Sequence, residues 1–198
     1  MRMVPPRPAP SSGKLRIVGG SLRGSKLIVA DLPGLRPTPD RVRETLFNWL
    51  APVIDGARCL DLFAGTGALG IEALSRGAAE VDFIERDPRL ARDLRDNLAR
   101  LRQSARVREG DALAALNSVP EKPYDLAFVD PPFDANLWAR TCNALETQAW
   151  LAANALIYVE SPVDAALDLP STWQPHRESR AGAVRYALYR RSIKLGAG

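Results

Sequence analysis

The stretch Asp61-Leu-Phe-Ala-Gly65-Thr-Gly67-Ala-Leu-Gly70 decides the fold, because its glycines stand between an apolar strand and the start of a helix. Residues 59–63 form a short apolar run typical of a buried strand, and residues 69–74 begin a helical pattern. Glycine allows the tight turn between them and lets a ligand approach bare backbone. A strand, a Gly-rich turn and a helix in this order indicate the first unit of a parallel α/β sheet.

The rest of the chain repeats this alternation of strand and helix. Helices are predicted from Asp87-Pro88 through Leu101 and at residues 137–150. Further strands are predicted at residues 81–85, around 107, at 124–129, at 155–159, at 172–178 and at 184–190. We therefore expect an α/β fold with a doubly wound, mostly parallel, seven-stranded Rossmann-like sheet and helices on both faces. Such sheets bind ligands outside the carboxyl ends of their strands, where every motif described below falls.

The N-terminal segment precedes this alternation and is organised differently. Two short apolar runs, residues 15–18 and 26–29, flank a Gly-rich turn and predict a β-hairpin. A helix is predicted to begin at Thr38-Pro39-Asp40, with Thr38 as its cap, and to end near Pro52. The expected organisation is a proline-rich disordered tail at 1–13, a hairpin and helix at 14–52, and the main domain at 53–198.

Two carboxylates accompany the Gly-rich loop. Glu85 ends the second strand of the sheet, twenty residues after Gly65, where a carboxylate can accept both hydroxyls of a ribose. The loop and Glu85 together predict a cofactor that contains adenosine. Asp61 stands near the place of a dinucleotide pyrophosphate, and a carboxylate there favours a cationic or zwitterionic ligand such as S-adenosylmethionine. Taken alone, the loop leaves both a dinucleotide and S-adenosylmethionine open.

Asp111 follows the third strand of the sheet and has two interpretations. Its carboxylate can accept a hydrogen bond from the amino group of an adenine, or it can cap the helix that follows. Its position at the end of a strand in the same sheet favours the ligand role.

Asp130-Pro131-Pro132-Phe133 directly follows the fourth strand. The two prolines stiffen the backbone and leave nearby carbonyls free as acceptors. Asp130 and the Pro131 carbonyl can each accept one hydrogen of a planar exocyclic amine, while Phe133 stacks on the base. These bonds aim the nitrogen lone pair at an electrophile, and ionised Asp130 stabilises the positive charge that develops on the nitrogen. The four residues are therefore the predicted catalytic residues.

The combined motifs resemble a known enzyme family. Asp61-x-Phe-x-Gly-x-Gly together with Asp130-Pro-Pro-Phe133 is similar to the class I, S-adenosylmethionine-dependent methyltransferases that modify amino groups. Residues 16–24, 34–48 and 155–160 narrow the resemblance to the RsmD-type 16S rRNA (guanine(966)-N2)-methyltransferases of bacteria. It implies methylation of N2 of guanine 966 in 16S rRNA, within the small ribosomal subunit or an assembly intermediate.

The same resemblance assigns residues to the cofactor. Asp61, Gly65 and Gly67 would hold the methionine part of S-adenosylmethionine, Glu85 the ribose, and Asp111 the adenine. The product would be S-adenosylhomocysteine, and no metal is expected. The expected cofactor-binding residues are Asp61, Phe63, Ala64, Gly65, Thr66, Gly67, Glu85, Arg86, Asp111 and Ala112.

Charge is distributed unevenly along the 198 residues. Residues 1–45 hold nine Lys/Arg against three Asp/Glu, residues 46–176 carry a net charge of −7, and residues 177–198 carry +5. Basic flanks around an acidic body suit a polyanionic partner such as RNA. The residues predicted to contact rRNA phosphates are Arg16, Arg23, Lys26, Arg36, Arg41 and Arg43.

The cysteines and the hydropathy of the sequence indicate in which cellular compartment the protein acts. Cys59 and Cys142 have no nearby metal-ligand partners, so neither a disulfide framework nor a zinc site is expected. No run approaches the ~20 apolar residues of a membrane span. We expect a cytoplasmic protein without a membrane partner, acting as a monomer.

Three alternatives compete with this interpretation. A DNA adenine-N6 methyltransferase would use the same grip on an exocyclic amine, but 198 residues leave no separate domain for target recognition. A non-catalytic RNA-binding assembly protein on the same fold would not need the Asp130 loop. A nucleotide-dependent dehydrogenase would need a hydride-acceptor site that the sequence does not indicate.

Overall fold

The computed structural model describes residues 13–29 and 38–192, which form two β-sheets surrounded by α-helices. The strands are β1 (Gly13–Arg16), β2 (Lys26–Val29), β3 (Arg58–Asp61), β4 (Glu80–Glu85), β5 (Arg106–Glu109), β6 (Tyr124–Val129), β7 (Leu151–Pro162), β8 (Trp173–Ala181) and β9 (Val184–Arg191). The helices are α1 (Asp40–Leu50), α2 (Ala68–Ser75), α3 (Pro88–Arg100), α4 (Ala112–Leu116) and α5 (Trp138–Thr147), with a 3-10 turn at Phe133–Ala135.

The large sheet has seven strands in the order β5-β4-β3-β6-β7-β9-β8. The strands from β5 to β7 pair in parallel, whereas β9 is antiparallel to both β7 and β8. The predicted seven-stranded, mostly parallel sheet is therefore confirmed. Chain order reverses between β3 and β6, so the carboxyl ends of these two strands lie side by side at the switch point of the sheet.

Alternation of side chains along the central strands divides the interior into two layers. In β6, Leu126 and Phe128 point into the layer that contains α1, α2 and α3. Ala127 and Val129 point into the opposite layer, which contains α4 and α5. Helices thus cover both faces of the sheet, as the run of apolar residues in its strands predicts.

The longest surface helix, α3, begins where the sequence predicts. The Asp87 side chain accepts a hydrogen bond from the backbone N–H of Arg89 at 2.8 Å, and Pro88 occupies the first turn. Leu94 and Leu98 on its inner face are buried. The capping pattern therefore fixes where this helix starts, and its apolar stripe fixes which face packs on the sheet.

Several element boundaries differ from the prediction by two to four residues, among them the ends of β1, β3, β8 and α5, and two of the differences have a clear structural cause. β7 begins at Leu151, four residues before the predicted start, because pairing with β6 already begins where the N–H of Tyr124 bonds the Trp150 carbonyl at 2.7 Å. The predicted cap at Thr38 is wrong. Pro39 occupies the N-cap position of α1 without a side-chain hydrogen bond, and Thr38 is buried.

The β1–β2 hairpin packs against the body of the protein. Leu15, Ile17, Leu27 and Val29 are buried in the same core layer as α1, α2 and α3. The predicted division at residue 52 therefore does not separate two cores. Gly13, assigned to the tail by the sequence, belongs to β1, and the rest of the predicted tail lies outside the described residues.

A buried carboxylate on α2 fastens the turn that follows β1. Glu72 is fully buried and accepts hydrogen bonds from the backbone N–H groups of Val18 at 2.9 Å and Gly19 at 2.8 Å. Its oxygens also pair with the guanidinium groups of Arg43 on α1 at 3.4 Å and Arg76 at 2.9 Å. We call these five residues the Glu72 hub, because they join the hairpin, α1 and α2 through one side chain.

A second anchor ties β2 to α3. The amide of Asn97 accepts a hydrogen bond from the Ile28 N–H at 3.0 Å and donates one to the Ile28 carbonyl at 2.8 Å. Arg100 donates to the Lys26 carbonyl at 2.7 Å. These bonds satisfy backbone groups on the outer edge of β2, which an isolated hairpin would leave exposed.

Candidate active site

Acidic side chains collect at the carboxyl ends of four neighbouring strands. Asp61 ends β3, Glu85 ends β4, Asp130 follows β6, and Glu160 lies near the end of β7. Each of these residues lies two positions after one whose side chain packs in the core layer that contains α1, α2 and α3. The four preceding residues are, in the same order, Cys59, Phe83, Phe128 and Tyr158. Because strand side chains alternate with a period of two, the four carboxyl groups leave the same face of the sheet.

The Gly-rich loop is held by two of these carboxylates. Asp61 accepts a hydrogen bond from the N–H of Gly70 at 3.1 Å, and Glu85 accepts one from the N–H of Gly65 at 2.7 Å. Gly65 and Gly67 have φ angles of 52° and 76°, which side chains rarely adopt. A Cβ atom at Gly67 would lie 2.3 Å from the Leu94 side chain. The loop therefore needs glycine for both its conformation and its packing.

Glu85 is oriented before any ligand arrives. Besides Gly65, its carboxylate accepts a hydrogen bond from the N–H of Asp87 at 2.7 Å, and the residue is buried. Each carboxylate oxygen has two acceptor sites, so both oxygens keep one for a further donor. A vicinal diol such as a ribose can use these two remaining sites.

Asp61 is deeply buried beside the loop. Burial raises the pKa of Asp61 to about 7, the Gly70 N–H opposes this rise, and the nearby charge of Glu85 adds to it. Burial therefore shifts this carboxyl group toward its protonated form. A cationic ligand next to Asp61 would favour the ionised form, which is the chemistry expected of a group that binds an ammonium or sulfonium.

The remaining residues predicted to bind the cofactor belong to the Gly-rich loop or follow β4 and β5, and they differ in exposure. Asp111 caps α4, since its carboxylate accepts a hydrogen bond from the Ala114 N–H at 2.9 Å. Its side chain is exposed beyond the end of β5, and contact with an adenine stays a prediction. Ala64, Thr66 and Ala112 are buried, Phe63 is half-buried, and Arg86 is exposed.

The Asp130-Pro131-Pro132-Phe133 loop leaves the sheet next to Asp61. Pro131 is buried, and Pro132 precedes the 3-10 turn that Phe133 begins. The Phe133 ring is 40% exposed and lies 5.8 Å from the Trp138 ring, measured between centroids. Phe133 thus offers an aromatic face that is backed by Trp138 and remains accessible to a base.

Asp130 is a carboxyl group with an unusually high proton affinity. Its pKa is raised well above the ordinary range, first by burial and then by the charges of Glu160 and Asp61. A buried carboxyl in this state can accept a proton from a reacting group more readily than an exposed one.

Glu160 belongs to this site, although the sequence-based analysis assigned it no role. It is buried, its carboxylate accepts a hydrogen bond from the Tyr158 hydroxyl at 2.8 Å, and its carbonyl accepts one from the Trp138 indole at 2.8 Å. Burial raises the pKa of Glu160, while the hydroxyl groups of Tyr158 and Thr38 oppose the rise. Its position at the end of a predicted strand, next to the strand of Asp130, was the available signal.

The basic residues predicted to contact RNA divide into two groups. Arg16, Arg23, Lys26 and Arg41 are exposed, three of them on the hairpin and one on α1. Arg36 lies outside the described residues.

The prediction that Arg43 contacts a phosphate is wrong. Its side chain is fully buried in the Glu72 hub and also pairs with Asp40 at 2.5 Å. It donates further hydrogen bonds to the carbonyls of Arg16 at 2.7 Å and Thr38 at 3.2 Å. Arg43 therefore holds the N-terminal segment in place rather than presenting its charge to solvent.

The described ranges, 13–29 and 38–192, contain neither a metal-binding cluster nor a membrane-spanning helix. Among these residues no group of three or more His, Cys, Asp or Glu side chains is placed to hold a metal ion. No helix in this part of the chain is long and apolar enough to cross a membrane.

Known proteins match the chain over most of its length. A family model described as Conserved hypothetical protein 95 matches residues 15–190. Ribosomal RNA small subunit methyltransferase D of Escherichia coli K12 is 55% identical over 185 residues, covering 92% of this chain and 93% of the relative. The protein of the same name from Haemophilus influenzae is 45% identical over 183 residues, covering 90% of this chain and 95% of the relative.

Solved structures share the architecture. A putative methyltransferase from Escherichia coli superposes with a TM-score of 0.84 at 53% identity, covering 92% of this chain and all of the other. An RNA methyltransferase from Salinibacter ruber, in complex with S-adenosyl-L-homocysteine, has a TM-score of 0.61 at 20% identity and covers 82% of this chain and 98% of the other. This second likeness concerns the fold alone.

Proposed function

The chain belongs to the family described as Conserved hypothetical protein 95, the RsmD-type methyltransferases, and on this basis we propose that it methylates N2 of guanine 966 in 16S rRNA. Its two bacterial relatives are named as ribosomal RNA small subunit methyltransferases, which favours an RNA substrate over the DNA alternative. One observation carries the proposal. The Gly-rich loop with Asp61 and the Asp130 loop open from adjacent strands, onto the same end of the sheet.

The part of the site formed by the Gly-rich loop, Asp61 and Glu85 fits S-adenosylmethionine. When bound, this cofactor supplies an electrophilic methyl carbon on a sulfonium sulfur and leaves as S-adenosylhomocysteine. Glu85 keeps acceptor sites that suit the ribose hydroxyls, and buried Asp61 suits the positively charged methionine part. A pyrophosphate near Asp61 would be repelled, so we expect no binding of NAD. No step in this chemistry calls for a metal ion.

The Asp130 loop holds the guanine. Asp130 and the Pro131 carbonyl accept the two hydrogens of the exocyclic N2, and Phe133 stacks on the base plane. The N2 lone pair forms the new bond to carbon while the carbon–sulfur bond breaks, and its electron pair stays on sulfur. Asp130 accepts the proton that N2 loses, a role suited to its raised pKa. In-line positioning and electrostatic stabilisation supply the catalysis.

The outer surface carries the RNA contacts. We propose that exposed Arg16, Arg23, Lys26 and Arg41 bind rRNA phosphates around the target nucleotide. The substrate is the small ribosomal subunit or an intermediate in its assembly. We further propose a monomer acting in the cytoplasm, where the two buried free thiols, Cys59 and Cys142, stay reduced.

One assay tests this function. The protein is incubated with labelled S-adenosylmethionine and either small-subunit particles or free 16S rRNA lacking the modification, and the digested nucleosides are identified. We expect N2-methylguanosine at a single position, with particles the better substrate. N6-methyladenosine would support the adenine alternative instead, and no transfer at all would support a binding protein.

A further inference from the structure

We propose that Glu160 accepts the N1–H of the target guanine and is the residue that selects guanine over adenine. This role rests on the proposed function, because it assigns a second hydrogen bond to the base that Asp130 holds. Asp130 reads the amino group, which both purines carry. Glu160 reads the neighbouring ring position, where the two purines differ.

The register of β6 and β7 places Glu160 beside Asp130. The two strands are parallel, and their last recorded pair is Val129 with Val159. Asp130 directly follows β6 and Glu160 is the next position of β7, in strands whose neighbours lie about 4.8 Å apart. The charge of Glu160 also acts on Asp130, so the two carboxyl groups lie close together. Two residues earlier, the rings of Phe128 and Tyr158 lie 6.2 Å apart on one face of the sheet, and by the period of two Asp130 and Glu160 leave that same face. One planar base edge can therefore meet both carboxyl groups at once.

Glu160 is fixed in this position from two sides. Its Oε2 accepts the Tyr158 hydroxyl at 2.8 Å, and its backbone carbonyl accepts the Trp138 indole N–H at 2.8 Å. Trp138 also backs Phe133, with ring centroids 5.8 Å apart. The stacking ring and the second carboxylate are thus aligned by the same indole. The hydroxyl groups of Tyr158 and Thr38 together use two acceptor sites of the Glu160 carboxylate, which leaves others for a base.

Glu160 is buried and Asp130 is half-buried, so two neighbouring carboxyl groups with little access to water need donors to balance them. In the described part of the chain, no Lys, Arg or His forms an ion pair with Asp130 or Glu160. Buried like charges without such partners disfavour each other and take up protons. The Watson–Crick edge of guanine presents adjacent N1–H and N2–H donors, which is the complement of this pair. It would stabilise both ionised groups on binding.

Adenine presents the opposite pattern to the same pair. Its exocyclic amine can still donate to Asp130, but its N1 is an acceptor and would place a lone pair against the Glu160 carboxylate. A site built to bind a donor rejects an analogue that lacks it, because the buried acceptor is left unpaired. 2-Aminopurine isolates this difference, since it keeps the 2-amino group of guanine and lacks the N1–H.

The test compares methyl transfer to guanine and to 2-aminopurine at the target position of reconstituted particles. For each protein, kcat/KM on guanine is divided by kcat/KM on 2-aminopurine, so that variants can be compared independently of the intrinsic reactivity of the two amines. The variants are Glu160→Gln, whose amide can donate to the N1 acceptor of 2-aminopurine, and Tyr158→Phe, which keeps the carboxylate. Calorimetric binding of S-adenosylmethionine shows that each variant is folded.

We expect Glu160→Gln to lower the guanine-to-2-aminopurine ratio by about tenfold to a hundredfold, the range for a hydrogen bond to a charged group. Tyr158→Phe should reduce activity on both bases and change the ratio little. An unchanged ratio in Glu160→Gln overturns this role while leaving the proposed function intact. Failure of the wild type to methylate guanine overturns both.

Discussion

Asp61 shows at the scale of one residue that cofactor binding and stability make opposite demands. Its pKa is raised to about 7 by burial, so the native state holds this proton more tightly than the unfolded chain does. Stability is therefore lost as the pH rises from about 4 to about 7, and the full loss is present at pH 8. A neutral side chain at this position would remove the loss but could not balance a cationic ligand.

We predict that Asp61→Asn raises the free energy of unfolding at pH 8 by at most about 4 kcal/mol, with a smaller gain at pH 5. Urea unfolding at the two pH values measures this, and calorimetry should show loss of S-adenosylmethionine binding. Asp87→Asn is the control of opposite sign, because Arg89 lowers the pKa of Asp87 to about 2 and the residue caps α3. A gain in Asp61→Asn that is no larger at pH 8 than at pH 5 contradicts the assignment.

Asp130 contributes to chemistry rather than to cofactor binding. We predict that Asp130→Ala lowers methyl transfer by roughly a hundredfold or more, because it removes a preorganised charged acceptor from the reacting amine. Binding of S-adenosylmethionine should stay within about twofold of wild type, since the cofactor is expected to contact the Gly-rich loop and not Asp130. Single-turnover rates and calorimetry measure the two effects. Near wild-type turnover in this variant would refute the catalytic role proposed for Asp130 and its loop.

Sequence patterns identified some of these residues and missed others for physical reasons. Asp61 and Asp130 stand inside local motifs whose neighbours reveal their task. Glu160 has no such motif, since its importance comes from strand register, which is set by the whole sheet. Arg43 looked like a surface charge because Glu72, its buried partner, lies 29 residues away in the chain. Pairing over that distance leaves no local pattern to interpret.

At the scale of elements, the Glu72 hub connects the hairpin and α1 to the helix that follows the cofactor loop. We predict that Glu72→Ala lowers the free energy of unfolding by about 3–5 kcal/mol, because it removes the buried partner of Arg43 and leaves two backbone N–H groups without their acceptor. Equilibrium denaturation measures the change. Glu80→Ala is the matched control, since its ion pair with Arg58 is half exposed and should contribute about 0–1 kcal/mol. Equal effects of the two variants on the free energy of unfolding would contradict the stabilising role of the Glu72 hub.

Element types were more predictable than element ends. The strands β3 to β6 and the start of α3 follow directly from apolar runs and a capping residue. The start of β7 did not, because its first residues pair with β6 across a register shift near Tyr124. Thr38 resembled a cap by composition, yet it is buried close to Glu160, where its hydroxyl opposes the rise in that residue's pKa. Tertiary contacts decided both cases.

At the scale of the whole molecule, the basic residues expected to bind RNA lie on the N-terminal hairpin and on α1, whereas the residues expected to carry out methyl transfer belong to the acidic central part of the chain. We predict that replacing Arg16, Arg23 and Lys26 together with Ala weakens binding to the particle and lowers the log-affinity against log-salt slope by roughly two. KM should rise more than kcat falls, and binding of S-adenosylmethionine should not change. Salt titrations of particle binding measure the slope.

A matched triple variant tests whether location matters as well as charge. Arg89, Arg92 and Arg102 are equally exposed but belong to α3 and the turn after it. Their replacement removes the same charge and should change the slope less, because α3 carries interspersed acids typical of a solvent face. Equal slopes for the two triples would mean that the hairpin charge acts only through the net charge, and the basic C-terminal strands would then be the candidate docking surface.

The anchoring of the hairpin also has a consequence for the order of synthesis. Its partners on α2 and α3 lie 54 and 69 residues further along the chain. At translation rates of roughly 5–20 residues per second, these partners leave the ribosome on the order of 3 to 14 s after the hairpin residues that they contact. A lone two-stranded hairpin is marginally stable in water, so residues 13–29 are not stabilised by their contacts with α2 and α3 until both helices have been synthesised. The hairpin is thus made well before the helices that hold it in place.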